Sequence, residues 1–231
     1  MTRKPGFSIA IDGPAGSGKS TIAKLLAIRF ELSYVDTGAM YRGVALQGRR
    51  AGVAPDDEAS LVKIAADARF DFIMDPTDDR LVNLVYLNGE EVTDDIREPE
   101  ISNLASAVSA LSGVRRELVS KQKRMGEAGG VVMEGRDICG VVLPGAEVKI
   151  FLTASPEVRA RRRHDELVEK GQPVVFDEVL EQMKERDHRD STRSDSPLKP
   201  AEDADIVDTD GLTIQQVVDE ISRIVKSKVE F

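Results

Sequence analysis

Apolar residues occur along this chain in two rhythms. In "FSIAIDG", "GVVME", "EVKIFLTAS" and "ADIVDTDG" they run almost without interruption, the pattern of strands buried on both faces of a sheet. "SYVD" reads as a further short strand. Elsewhere the apolar positions recur every three or four residues, which predicts helices. One helix is expected over "KSTIAKLLAIRF", and a second starts from an N-cap at Asp36 or Thr37 and runs through "GAMYRGVALQGRRAG". A third is expected at about 56–67, with Leu61, Ile64 and Ala65 on one face. Pro99 is placed as an N1 proline, with Ile101, Leu104, Ala105 and Val108 on one stripe. Another helix runs from about Ser112 to Arg124 and stops at Gly126. "SPEVRARRRHDELVEKGQP" reads as a helix and an exposed loop, and a further helix opens near Asp177. Thr213 and Gln216 have the form of a capping box that opens a terminal helix through about Lys226.

Strands and helices alternating in this way imply a parallel sheet covered on both sides. Residues from about 69 to 95 break the alternation. There "RFDFIM" and "LVNLVYLNGEEV" read as a small antiparallel meander with a tight turn at Asn88-Gly89. The expected fold is therefore α/β, a doubly wound parallel sheet in one domain over 1–231, with a small antiparallel β subdomain inserted at about 68–105.

Composition narrows the classes of function. With 231 residues, 41% of them hydrophobic, the chain can bury one sizeable core. Its 41 acids against 32 bases give a formal charge of −9, which argues against nucleic-acid polymers held by general attraction to phosphate. Any anion site must be local. Cys139 is the only cysteine, so an internal disulfide is excluded and a reducing compartment fits. The basic start "MTRKPGFSIAIDG" has an apolar stretch too short for a signal peptide, and no run is long enough to span a bilayer. A soluble, cytoplasmic protein is expected; no feature demands an oligomer, so the expectation is a monomer without membrane partners.

Gly13-Pro14-Ala15-Gly16-Ser17-Gly18-Lys19-Ser20, followed by Thr21, fits G-x-x-x-x-G-K-[ST]. Glycines let the backbone wrap so that its N–H groups point at phosphate oxygens. The following helix adds its positive end, Lys19 adds a point charge, and Ser20 offers a magnesium ligand. A strand before and a helix after are what the motif requires. ATP or GTP with magnesium is expected here. A regulatory GTPase would also carry an Asn/Thr-Lys-x-Asp guanine reader, which this chain lacks. Asp208 to Gly211 matches D-x-x-G, but between a late strand and a helix it reads as a turn.

Arginines are placed with some regularity. Arg42 is expected in the first turn of the second helix, beside Thr37 and Tyr41, and Arg115 in the first turn after Ser112. Arg159, Arg162 and Arg163 fall on one helical face by spacing. In "FDEVLEQMKERDHRDSTR" an apolar stripe of Phe176, Val179, Leu180 and Met183 continues as Arg186, Arg189, Asp190 and Arg193. Beside a phosphate site such a run suits phosphoryl transfer, where charge on three equatorial oxygens must be neutralised. The loop near Gly171, flanked by Arg162 and Lys170, has the composition of a helical lid at about 155–175. In "GGVVMEGRDICGVVLPG" the buried run ends in Glu134, Gly135, Arg136 and Asp137. Alone, that ending reads as a turn in which Arg136 pairs with Asp137.

Together "IDGPAGSGKST", "VDTGAMYR", "EGRDICGVVLP", "VKIFLTAS" and "KERDHRDSTR" resemble the bacterial cytidylate kinases, of the nucleoside monophosphate kinase family, over essentially the whole chain. The resemblance implies transfer of phosphate from ATP to CMP or dCMP. It implies that Thr37 and Arg42 contact the acceptor monophosphate, and that Ser106, Arg115, Arg136 and Asp137 surround the cytosine and nearby phosphate. Arg186, Asp190 and Arg193 would hold sugar and phosphates, and Arg162 would come from the lid. Lys19, Arg162, Arg136 and Arg193 would then be the catalytic set. Thr37 stands where the family often has serine, and Glu134 where some members have aspartate; its carboxylate is a candidate for holding a magnesium-bound water. A strand end facing a phosphate loop is where ligands bind in such sheets. Cytosine's exocyclic amine would donate to Asp137, whereas uracil would present a carbonyl there. A thymidylate- or shikimate-type kinase, or a nucleotide-gated binding module, is the rival reading.

Overall fold

The computed structural model describes residues 6–74, 82–193 and 195–230. The basic start at 1–5 and the connection at 75–81 within the expected meander lie outside the described residues. From the amino end the elements run β1 (Ile9–Asp12), α1 (Lys19–Arg29), β2 (Ser33–Asp36), α2 (Thr37–Arg50), α3 (Glu58–Asp67), β3 (Phe70–Met74), β4 (Asn83–Leu87) and β5 (Glu90–Glu91). A 3₁₀ turn at Asp95–Arg97, α4 (Pro99–Val108), α5 (Ser112–Gly126), β6 (Val131–Gly135) and a single π-type turn at Ile138–Val142 follow. The chain then continues through β7 (Val148–Thr153), α6 (Pro156–Glu169), α7 (Phe176–Thr192), β8 (Asp205–Asp208) and α8 (Ile214–Lys228).

The main sheet has the order β2-β6-β1-β7-β8, and every pairing in it is parallel. β1 and β6 lie at its centre and are buried at every residue. That is the physical content of their unbroken apolar runs, since helices cover both faces. On one face Ile22 and Leu26 of α1 and Val218 and Ile221 of α8 pack with Ile9, Ile11, Val148 and Ile150. On the other, Ala10, Val35 and Met133 meet Ile138 and Val142 of the π-type turn. Each large apolar side chain buried in this way contributes about 1.5–3 kcal/mol. α8 opens with the capping box of Thr213 and Gln216. α3 begins at Glu58 rather than 56 because Asp57 caps it, accepting from Ser60 N at 3.1 Å.

The smaller sheet, β3-β4-β5, is antiparallel. Asn88 and Gly89, with φ of 55° and 86°, form the two-residue turn between the paired Leu87 and Glu90, as a type I′ hairpin requires. Phe70, Val85 and Leu87 join Met40 and Val44 of α2, Leu61 of α3, Ile101 of α4 and Leu118 of α5 in one buried cluster. Gly43 makes that approach feasible, because a Cβ there would stand 2.6 Å from Phe70. The parallel strands all end along one edge of the main sheet, at Asp12, Asp36, Gly135, Thr153 and Asp208. The segments that follow them converge there.

Candidate active site

Between β1 and α1 the backbone turns sharply around Gly13 to Gly18. Gly13 has φ 152°, and a Cβ on it would lie 2.0 Å from Leu152 O. Gly18, at φ 91°, precedes α1 with no side-chain cap, and the first turn carries no acid. α2 and α8, by contrast, are capped by Asp36 and Thr213. The first N–H groups of α1 and its positive end therefore remain available to an anion. Lys19 is buried and folds back, donating to Pro14 O at 2.7 Å and Ser17 Oγ at 3.4 Å. Ser20 and Thr21, in the same first turn, are exposed.

A second wall faces this loop. Asp36 ends β2, caps Ala39 N at 3.0 Å and pairs with Arg42 Nη2 at 2.7 Å. Because α2 begins at Thr37, Arg42 lies in its second turn, not its first, and it is this turn that lets the guanidinium reach back to Asp36. Thr37 Oγ1 donates to Glu134 O at 2.7 Å, joining α2 to the end of β6. The Glu134 carboxylate accepts from the Tyr34 hydroxyl.

Arg136 and Asp137 do not pair with each other. β6 ends at Gly135 and the chain bends there, with Asp137 at φ −147° and ψ 23°, and the two side chains part at this bend. Arg136 Nε donates to Asp190 Oδ2 at 3.0 Å, while Asp137 accepts from Arg115 Nη2. The Arg115 guanidinium also lies 5.9 Å from the Tyr41 ring centroid. Ser106, Asp190 and Arg193 line a cleft of about 730 Å³ between α4 and α7. Arg193, the residue just after α7, donates from Nε to Ser196 O at 2.7 Å.

The electrostatics of this wall follow from crowding. Burial, and next the Arg136 charge, push the Lys19 amine down to about 7. The same two causes, in the same order, bring Arg186 down to about 10. Burial and then Arg115 lower Arg193. Arg42 Nε, Arg186 Nε and Arg193 Nη2 are buried without a partner among the described residues. Cations that repel one another, each with a donor to spare, make a site complementary to a polyanion. On the other side of the balance, burial and the neighbouring Asp36 raise Glu134.

The cytidylate kinase family model matches residues 9–227. The chain belongs to that family. A cytidylate kinase from Geobacter sulfurreducens is 49% identical over 96% of this chain and 94% of its own length. Another from Solibacter usitatus is 48% identical over 99% and 96%. Among solved structures, a shikimate kinase from Bacteroides thetaiotaomicron aligns with a TM-score of 0.50 at 14% identity, covering 95% of this chain and 98% of that one. That likeness is one of fold alone.

For a cytidylate kinase family member, the residues singled out in the sequence are mostly gathered here. Lys19, Glu134, Arg136, Arg186 and Asp190 form one electrostatic neighbourhood, and Arg115, Asp137, Arg193 and Tyr41 a second beside it. Arg162 is elsewhere: it donates to Thr209 Oγ1 and Thr209 O, both at 3.0 Å, beyond the end of β8. Nor do Arg159, Arg162 and Arg163 act as one face. Arg159 turns inward, and Arg163 pairs with Glu166 on the surface. Sequence reasoning missed Asp36 as a partner for Arg42, Tyr34 as a donor to Glu134, and Asp12. Asp12 accepts from Ile138 N and Cys139 N, both at 2.8 Å, and so fastens the segment after β6. The only signal for Asp12 was its place at the end of a buried run.

Proposed function

We propose that this chain transfers the γ-phosphoryl group of ATP to CMP or dCMP, giving ADP and CDP or dCDP. One observation carries the reading. The phosphate loop and the acceptor wall share a single cationic neighbourhood, in which Arg136 acts on both Lys19 and Arg186. Two phosphorylated ligands brought together repel, and this is the charge that offsets the repulsion.

The acceptor phosphate is already an anion, so its oxygen can attack phosphorus without a general base. A bond forms from that oxygen to the γ-phosphorus, and the bond to the β–γ bridging oxygen breaks as ADP leaves. Lys19 and the first N–H groups of α1 bind the outer phosphates of the donor. Thr37 and Arg42 hold the acceptor phosphate, with Arg42 exchanging Asp36 for it. Arg136, Arg186 and Arg193 neutralise the equatorial oxygens, and Asp190 orients Arg136 and the sugar. Ser106, Arg115 and Asp137 receive the base, Asp137 accepting from the exocyclic amine. The lid at about 155–175 closes over the donor, and Arg162 would have to leave Thr209 to take part.

Magnesium fits this set of donors. Ser20 and Glu134 are close enough to interact, and both offer oxygen. Among the described residues no cluster of three or more acidic, His or Cys side chains could hold a metal unaided, so a cation here would be completed by phosphate oxygens and water. Ser20 would bind it directly and Glu134 through water; when bound, it would supply positive charge to the donor phosphates. All the groups invoked belong to one chain, so the reading needs no second copy, and a cytoplasmic monomer is the state that goes with it.

Coupled release of ADP tests the assignment. Release on adding CMP, with none on adding TMP, shikimate or buffer, is the expected result. Release with shikimate or TMP instead, or binding of ATP with no turnover, overturns it.

A further inference from the structure

Arg159 is the most buried arginine of the lid segment, only 3% exposed, yet it faces away from the cationic neighbourhood. Its guanidinium is used on three sides. Nε donates to Ala154 O at 2.9 Å, at the end of β7. Nη1 donates to Ala15 O at 3.1 Å, in the phosphate loop. Nη2 pairs with Asp187 Oδ2 at 2.7 Å, on α7. Asp187 lies one residue from Arg186 and three from Asp190. The backbone position of the donor loop and that of the helix carrying the acceptor-side groups are thus referred to one planar cation.

The packing runs the same way. Ala15 rests against Ala160, Val179 and Met183 of the α6–α7 pair. A Cβ on Gly16 would stand 2.8 Å from Met183 Cε and 3.1 Å from Arg159 Cβ. Movement of the loop around a donor phosphate is therefore felt at α7 through hard contacts as well as hydrogen bonds. The guanidinium spreads its donors over three nitrogens fixed in one plane, whereas an ammonium carries its three N–H groups on a single nitrogen at the end of a flexible stem and cannot hold this geometry.

We propose that Arg159, with Asp187, is a positioning residue: it sets α7 against the phosphate loop, so that occupation of the donor site improves the affinity of the acceptor site. Neither side chain is required to touch substrate. The inference rests on the assignment of the loop to ATP and of α7 to the acceptor, and adds a coupling between them.

The experiment measures the Kd of CMP with and without a saturating non-hydrolysable ATP analogue, and that of the analogue with and without CMP. Linkage makes the two ratios equal. Wild type is expected to show a ratio of about tenfold, within the usual range of coupling. Asp187→Asn and Arg159→Lys are expected to bring it within about twofold of unity, while each ligand alone binds within about threefold of wild type. Leu167→Ala, which loosens the same helical pair without touching the ion pair, should lower Tm and keep the ratio. A wild-type ratio of one, retention of coupling in Asp187→Asn and Arg159→Lys, or equal loss in Leu167→Ala overturns the proposal. Failure of the functional assignment is seen separately, as absence of CMP-dependent ADP release in the wild type.

Discussion

The two walls of the site are built from different materials. The donor wall is backbone: eight contiguous residues, three glycines in special conformations and the uncapped start of one helix. The acceptor wall is side chain: Asp36–Arg42, Arg115–Asp137 and Arg136–Asp190, gathered from β2, α2, α5, α7 and the segment after β6. A triphosphate chain is common to many ligands, and main-chain N–H groups suffice to recognise it. Choosing one acceptor among several requires groups that can be varied singly, and each must be held by a neighbour. Loss of a donor-wall side chain should therefore stop the chemistry without disturbing the fold. Loss of an acceptor-wall side chain should alter selectivity and stability together.

The largest expected effect is on the donor wall. Lys19→Ala should lower turnover by about 10²–10³-fold or more with little change in Tm. Near-normal turnover in that variant would remove the loop from the reaction. Next comes Arg186→Met on the acceptor wall, for which kcat/KM should fall by about 10²-fold. Here the comparison sharpens, because Arg186 is a half-buried cation pressed by Arg136, with its Nε buried and short of a partner. Thermal melts should find Arg186→Met as stable as wild type or more so; a clear loss of Tm would mean that the helix depends on that charge.

Asp137→Asn tests selectivity. The ratio of kcat/KM for CMP over UMP should narrow by about tenfold, since an amide can donate to the uracil carbonyl. The same change leaves the Arg115 guanidinium, buried to 5% exposure, without its counter-charge, so Tm should fall as well. Undiminished preference for CMP would take base reading away from Asp137. If that happened with Tm lowered, the pair with Arg115 would be structural only.

A smaller effect follows from the Lys19 amine, which burial and Arg136 hold at about 7. Bound phosphate would raise that value, so the stabilisation it contributes to binding is complete below about pH 7 and is lost as pH rises toward the bound-state value. ATP affinity should weaken by at most about tenfold per pH unit above 7. Calorimetry at pH 8 in two buffers of different ionisation heat should detect proton uptake on ATP binding. Absence of uptake would show that the amine is charged before phosphate arrives.

The least effect is expected in the lid. Hydrogen exchange at about 168–175, beyond the buried part of α6, should slow modestly with CMP plus an ATP analogue. Unchanged exchange under saturating ligands would count against closure.

The two walls also differ in how well they could be read beforehand. The phosphate loop is contiguous, and its glycines, lysine and serine each have a local reason, so its place between β1 and α1 followed from the string. The strands likewise followed from apolar runs. Partners in the acceptor wall stand 6, 22 and 54 positions apart, and no local rule couples such positions. Adjacency even misled: Arg136 and Asp137 suggested a pair because they are neighbours, and the bend after β6 sends them to different partners. Spacing placed Arg159, Arg162 and Arg163 together, yet what decided their directions was Asp187, Thr209 and Glu166. Periodicity tells which side of a helix a residue is on. It does not tell what waits there.

The two backbone bonds from Ile138 and Cys139 to the Asp12 carboxylate have a bearing on redesign. They clamp the main chain immediately downstream of Arg136 and Asp137 to the central strand, independently of what those two side chains are. The segment behaves as a socket with interchangeable contacts. Libraries that vary 136 and 137 while keeping Asp12, the Ile138–Val142 turn and Gly135 should keep the course of this segment, even where loss of the pairing with Arg115 or Asp190 lowers Tm. Libraries that vary Asp12 should mostly fail for reasons unrelated to chemistry, and an alanine scan read by activity alone would mistake that carboxylate for part of the reaction.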